Sequence, residues 1–261
     1  MGSRGGARNG SGPIRSLRGL ESFRGGADRG RQTRFEANLL AELATLFEGY
    51  GKQGFGERRH YVHNQEEADR FGQRPGTFTP WEETGAGSDL LFYEGLHGAV
   101  VTDDIDVATH ADLLIGVVPI VNLEWIQKIH RDTAERGYQP EDVTRTILRR
   151  MVDYVNIITP QFSRTDINFQ RAPTVDTSNP FIALDIPTPD ESIVVIRFED
   201  PRKFATDFPY LLSMLHDSFM SRRNNLVVPG GKMGLALEII FAPIIETLME
   251  KSSRSPASLE G

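Results

Sequence analysis

Residues 112–150 read DLLIGVVPIVNLEWIQKIHRDTAERGYQPEDVTRTILRR, and the fold class turns on this stretch. Asp112–Pro119 is a short apolar run rich in β-branched residues, the pattern of a buried strand. Asn122 is placed to cap a helix beginning at Leu123. Gly137-Tyr138 interrupts the periodicity, and Pro140 is a suitable first residue for a second helix, with Glu141 and Asp142 in its first turn. Val143, Ile147, Met151 and Val155 form that helix's apolar stripe. A buried strand followed by helices indicates an α/β protein. On the first helix, Lys128, Arg131, Asp132 and Arg136 fall at i, i+3, i+4 and i+8, within one arc of its surface. One carboxylate among three cations suits a site that handles phosphate groups. It is equally the pattern of a salt-bridged surface helix, and spacing alone does not decide between them.

Ser88–Gly98 (SDLLFYEGLHG) is a second buried-strand pattern, its apolar run closed by Glu94. An acid at the carboxyl end of a parallel strand lies where open α/β sheets place their ligands, and in nucleotide-binding folds it commonly serves Mg²⁺. Ser192–Phe198 (SIVVIRF) is the most β-branched run, and Val155–Ile158 is a weaker strand candidate. Residues 159–190, rich in Pro, Asp, Ser and Thr, read as a long, partly ordered loop. Leu39–Phe47 is amphipathic, its helix closed by Gly49 and Gly51, while Asp207–Arg222 and Leu235–Met249 read as further helices. Tyr61 and His63, two apart, would share one face of a strand.

The 261 residues contain no cysteine, which excludes disulfides, thiolate metal sites and thiol switches. No apolar run approaches the roughly 20 residues that cross a bilayer, and no secretory signal is apparent, so a cytoplasmic protein is expected. The net charge of −7 hides an asymmetry. Residues 1–34 hold eight arginines, two acids and nine glycines (8 − 2 = +6), leaving −13 for the remainder. Such a leader cannot build a core and is expected to be disordered. It reads either as an arm for nucleic acid or as non-native coding sequence, and nucleic-acid binding is not the expected role. The expected organisation is leader 1–34, domain 35–251 and a loose tail 252–261.

Three partial motifs fail on context. Gly49–Gly54 matches G-x-G-x-x-G but follows a helix instead of a strand. His130-Arg131-Asp132 resembles a protein-kinase catalytic loop, yet Gly137 stands where asparagine is required. No G-x-x-x-x-G-K-[ST] occurs in the sequence.

Taken together, YVH (61–63), LLFYEGLHGAVV (90–101), IGVVPIVNLEWIQKIHRD (115–132), PQFSRTDINFQRAPTVDTSNPF (160–181) and NNLVVPGGKM (224–233) resemble the bacterial-type phosphoribulokinase family. The similarity runs from about Phe35 to Met249. It implies a P-loop-kinase-like fold with a largely parallel sheet flanked by helices, and ATP- and Mg²⁺-dependent phosphorylation of D-ribulose 5-phosphate to D-ribulose 1,5-bisphosphate. It further implies homo-oligomers. By the resemblance Asp132, Lys128 and Glu94 are catalytic, with Glu94 and Asp132 as metal ligands. Tyr61, His63, Arg131 and Arg136 are substrate-binding, Arg149 and Arg150 lie near the nucleotide lid, and Arg197 and Arg222 belong to effector control. The first strand, the phosphate loop and the segment bearing the family's general base have no counterpart, so an incomplete, catalytically impaired and poorly soluble chain is expected. The alternative is a non-catalytic regulatory or sugar-phosphate-binding subunit.

Overall fold

The computed structural model describes residues 40–62, 64–84 and 90–253, together with the backbone of 15–18. The chain forms two compact units, Met1–Ala111 with Met249–Gly261, and Asp112–Leu248.

In the first unit, strand β1 (Arg15–Arg18) precedes helix α1 (Leu40–Gln53), strand β2 (Gly56–Arg58), helix α2 (Gln65–Phe71), strand β3 (Glu82–Thr84) and strand β4 (Leu91–Glu94). Leu40, Leu43, Leu46 and Phe47 make the buried face of α1. That helix runs through Gly49 and Gly51, and the chain turns instead at Gly54, whose φ of 71° only glycine adopts freely. Asn64 caps α2 through its side chain, and Gly72 closes that helix in the left-handed conformation. β2 and β3 pair antiparallel, β1 and β4 parallel. Arg15–Arg18, within the stretch read as a leader, is the part that pairs with β4. Strand pairing is made by backbone groups, so the open edge of β4 can order even a segment unsuited to a core. The rest of the leader and residues 254–261 of the tail lie outside the described residues.

In the second unit, strand β5 (Ile115–Pro119) leads into helix α3 (Val121–Ala134) and helix α4 (Pro140–Arg149). A single turn α5 (Met151–Asp153), a π-helical segment (Tyr154–Ile158) and a short helix α6 (Thr159–Phe162) follow. Strands β6 (Ile167–Pro173) and β7 (Ser192–Phe198), helix α7 (Phe208–Met214), strands β8 (Phe219–Arg222) and β9 (Asn225–Pro229), and helix α8 (Met233–Ser253) complete the chain.

The sheet order is β5-β6-β7-β9-β8. Only β5 and β6 are parallel; the other three pairs are antiparallel, so the sheet is mixed. The α/β class holds, but the largely parallel sheet does not. The connections explain this: the parallel pair is spanned by α3 to α6, whereas the antiparallel pairs need no crossover helix. Along β7, Ser192, Val194, Ile196 and Phe198 are buried in strict alternation. Phe169 meets Phe241 of α8, and Phe198 meets Phe208 edge-on, in a core completed by Leu211, Leu215, Leu226, Val228, Ile240 and Ile244.

Four local expectations fail here. Val155–Ile158 is helical, because the chain stays coiled from Met151 to Phe162 and leaves Val155 in solvent; context overrides β-branched propensity. Residues 159–190 contain α6 and the inner strand β6, the loop proper being confined to 174–191. The helix from Asp207 stops at Met214, since Leu215 turns inward as a core residue and Phe219–Arg222 pairs with β9. Asn122 does not cap α3; its Nδ2 donates to the Thr177 carbonyl at 2.9 Å, tying the helix to the 174–191 loop.

Candidate active site

Helix α3 starts directly from the end of β5, so its exposed arc is fixed by the sheet. Leu123 and Ile126 anchor its buried face. Trp125 stacks on Phe181, and His130 Nε2 lies 3.1 Å from the Ala183 carbonyl, securing the helix to the 174–191 loop.

On this fixed helix Asp132 is 5% exposed. Lys128 Nζ donates to its Oδ2 at 2.6 Å, and Arg131 Nε and Arg136 NH1 donate to its Oδ1 at 3.2 and 3.1 Å. Burial pushes the carboxyl up, but the hydrogen bond and charge of Lys128, followed by those of Arg131, outweigh it and hold Asp132 below the ordinary aspartate value. It is thus a fixed anion. Three cations around one anion leave a formal surplus of two positive charges (3 − 1), and each arginine spends one N–H here out of five. Both guanidinium groups are about half exposed, with donors left for a second, external anion. The four residues that spacing set on one arc are brought together.

One partner was not foreseen. Glu124, a further turn back from Lys128, accepts a hydrogen bond from the Tyr154 hydroxyl at 3.0 Å. Burial raises the Glu124 carboxyl above its ordinary value, the Tyr154 hydrogen bond and Lys128 opposing it only in part. The same burial, reinforced by Glu124, raises the Tyr154 phenol. Glu124, Lys128 and Asp132 at i, i+4 and i+8 were legible in the sequence; the reach of Tyr154, on the π-helical segment, was not.

The other predicted residues are placed as follows. Glu94 is exposed at the end of β4, with Arg18 opposite it in register. Tyr61 pairs with Phe78 in an isolated bridge, their rings edge-on at 5.1 Å. His63 lies outside the described residues. Arg149 is exposed at the end of α4, and Arg150 is half-buried just beyond it. Arg222 is exposed on β8. Arg197 is committed internally: NH2 donates to the carbonyls of Phe162 and Thr165 and to Thr165 Oγ1, while NH1 pairs with Glu199. Those bonds fasten β7 to the turn before β6.

Among the described residues no three His, Cys, Asp or Glu side chains gather as a metal cage. Mg²⁺ does not require one, since it typically takes one or two carboxylates plus water and substrate phosphates. Glu94, exposed at a strand end, fits such a role. Both oxygens of Asp132 accept from cations, Oδ2 from Lys128 alone.

Residues 21–178 match the model of the phosphoribulokinase / uridine kinase family. The chain is 62% identical over 220 residues to a phosphoribulokinase of Xanthobacter flavus, covering 84% of this chain and 75% of that protein. A phosphoribulokinase of Rhizobium meliloti (strain 1021) is 64% identical over 219 residues, with the same coverage. Among solved structures, phosphoribulokinase from Rhodobacter spheroides superposes with a TM-score of 0.76 at 57% identity, over 84% of this chain and 76% of the other.

Proposed function

The chain belongs to the phosphoribulokinase / uridine kinase family, and we propose that its Asp132 cluster is the wall of a phosphoribulokinase that handles the sugar phosphate and the phosphoryl group in transfer. The reaction is ATP-dependent phosphorylation of D-ribulose 5-phosphate on its 1-hydroxyl, giving D-ribulose 1,5-bisphosphate, the Calvin-cycle step. The observation that carries the site assignment is the surplus of cations around a buried, ionised carboxylate.

Phosphoryl transfer depends on alignment and on positive charge near the equatorial oxygens, with little covalent participation by the protein. Asp132 holds its cations against their mutual repulsion before substrate arrives, so less reorganisation is left for the reaction. Lys128 is the mobile point charge suited to the moving phosphoryl. Arg131 and Arg136 have planar forks suited to the sugar phosphate. Glu94 is the residue offered to Mg²⁺, which when bound would neutralise charge on the nucleotide's phosphates. Tyr61 and His63 are assigned to the sugar substrate, Arg149 and Arg150 to the nucleotide side, and Arg222 to effector binding. Arg197 would act in effector control only through the contacts it already makes.

These 261 residues contain no G-x-x-x-x-G-K-[ST] sequence, so a polypeptide of this sequence is proposed to turn over slowly. The test is an ATP-dependent assay comparing ribulose 5-phosphate with uridine. The reading expects product with ribulose 5-phosphate in preference to uridine, at under a hundredth of the rate of the Xanthobacter flavus relative. A preference for uridine would overturn the substrate assignment, and a rate within a hundredfold of that relative would overturn the proposed slowness.

A further inference from the structure

Before Tyr61 the chain runs extended from Gly56, and its side chains divide by parity. Arg58 Nε and His60 Nε2 both reach Glu82 Oε1, at 2.9 and 3.2 Å. Arg59 and Tyr61 both pack on Phe78. The guanidinium carbon of Arg59 lies 4.1 Å from the centre of the Phe78 ring and 4.7 Å from that of Trp81. Glu82 is thus taken by the even-numbered neighbours Arg58 and His60, and no ion pair to Arg59 forms among the described residues. Its Nε is fully buried without a hydrogen-bond partner.

A guanidinium resting on ring faces is held by its own face. Its N–H bonds lie in the plane of the group and are not consumed by stacking. Two rings therefore fix the orientation of Arg59 while leaving its in-plane donors unspent, the preparation required for two parallel hydrogen bonds to a phosphate. An arginine that served packing alone would be expected to find an acceptor for its buried Nε, since an unpaired buried donor is costly.

From this geometry we infer that Arg59, steadied by Phe78 and Trp81, is a further anion-binding residue on the Tyr61 face and takes a phosphate monoester. The assignment of that monoester to the sugar substrate rests on the phosphoribulokinase reading; the presence of an anion site does not. Lysine at this position would keep the charge but lose both the stacking plane and the fork, so the site distinguishes the two cations.

Trp81 is partly exposed and touches the group that binds, so its fluorescence reports occupancy. The full chain is titrated with ribulose 5-phosphate, with ribulose, and with ATP, alongside Arg59→Ala and Arg59→Lys, each checked for an unchanged circular dichroism spectrum. Ribulose 5-phosphate should perturb the emission and ribulose should not. Arg59→Ala should weaken binding tenfold or more, and Arg59→Lys should recover only part of that loss. Equal binding by the Arg59 variants, with binding lost in Arg131→Ala, overturns the inference and leaves the functional reading standing. A response to ATP abolished by Arg59→Ala, without one to ribulose 5-phosphate, keeps the anion site but overturns its assignment to the sugar phosphate. No response to either phosphate overturns the inference.

Discussion

Asp132 restrains three cations that would otherwise repel one another, and two measurable consequences follow from its depressed pKa. Its charged form is favoured by the fold, so its contribution is present above the ordinary aspartate value of 3.8 and is lost as pH falls through the lower folded value. Asp132→Asn is expected to cost about 1–3 kcal/mol near neutrality, below the 3–5 of a fully buried pair because two of the three cations are half exposed. Urea titration across pH checks this, and a difference from wild type that persisted unchanged at the acid end would contradict it. Glu124 has the opposite sign. Its folded pKa is raised, so the fold disfavours its charge, and stability declines as pH rises from the ordinary 4.5 through the folded value. Glu124→Gln, which can still accept from Tyr154, should therefore be more stable than wild type at neutral pH and equal to it below the ordinary value. A variant less stable at pH 7 would show that the charged carboxylate, paired with Lys128, is favoured after all.

Among the elements, those whose pattern is local were legible from the sequence. Ser192–Phe198 alternates because one face of β7 covers the core, and the structure gives that strand with the same limits. The pairing of Lys128 with Asp132 was legible for the same reason, since four residues on a helix are one turn. What depended on distant partners was not. Tyr154 meets Glu124 from 30 residues away, and Arg59 meets rings on a facing segment. In the π-helical turn at 154–158, Tyr154, Val155, Ile157 and Ile158 are all residues that favour strands. Glycines in tight places show the same dependence. A Cβ at Gly230 would lie 2.3 Å from the Pro189 carbonyl oxygen and 2.9 Å from that of Ser192, both backbone atoms unable to swing aside. Gly230→Ala should destabilise by about 1–3 kcal/mol through overpacking between β7 and the turn after β9. Thermal unfolding of the variant measures it, and an unchanged midpoint would mean that the 187–192 turn yields easily.

For the whole molecule, composition pointed to a charge-divided chain and the family resemblance to a kinase, while the mixed sheet came from connections that composition does not encode. The α/β architecture and the cationic arc on α3 were the legible parts of the function. In the proposed enzyme this arc binds a phosphorylated sugar through cations held in place by Asp132. Calorimetric titration of ribulose 5-phosphate into the 261-residue chain, into Arg131→Ala and into Arg136→Ala tests it most directly, because binding can be read without turnover. Losing a fork from a charge-assisted bidentate contact should weaken binding by about tenfold or more in each variant. Saturable binding by the unaltered chain that each substitution reduces is the predicted result; binding of equal strength in all three proteins, or none in the unaltered chain, would contradict the claim.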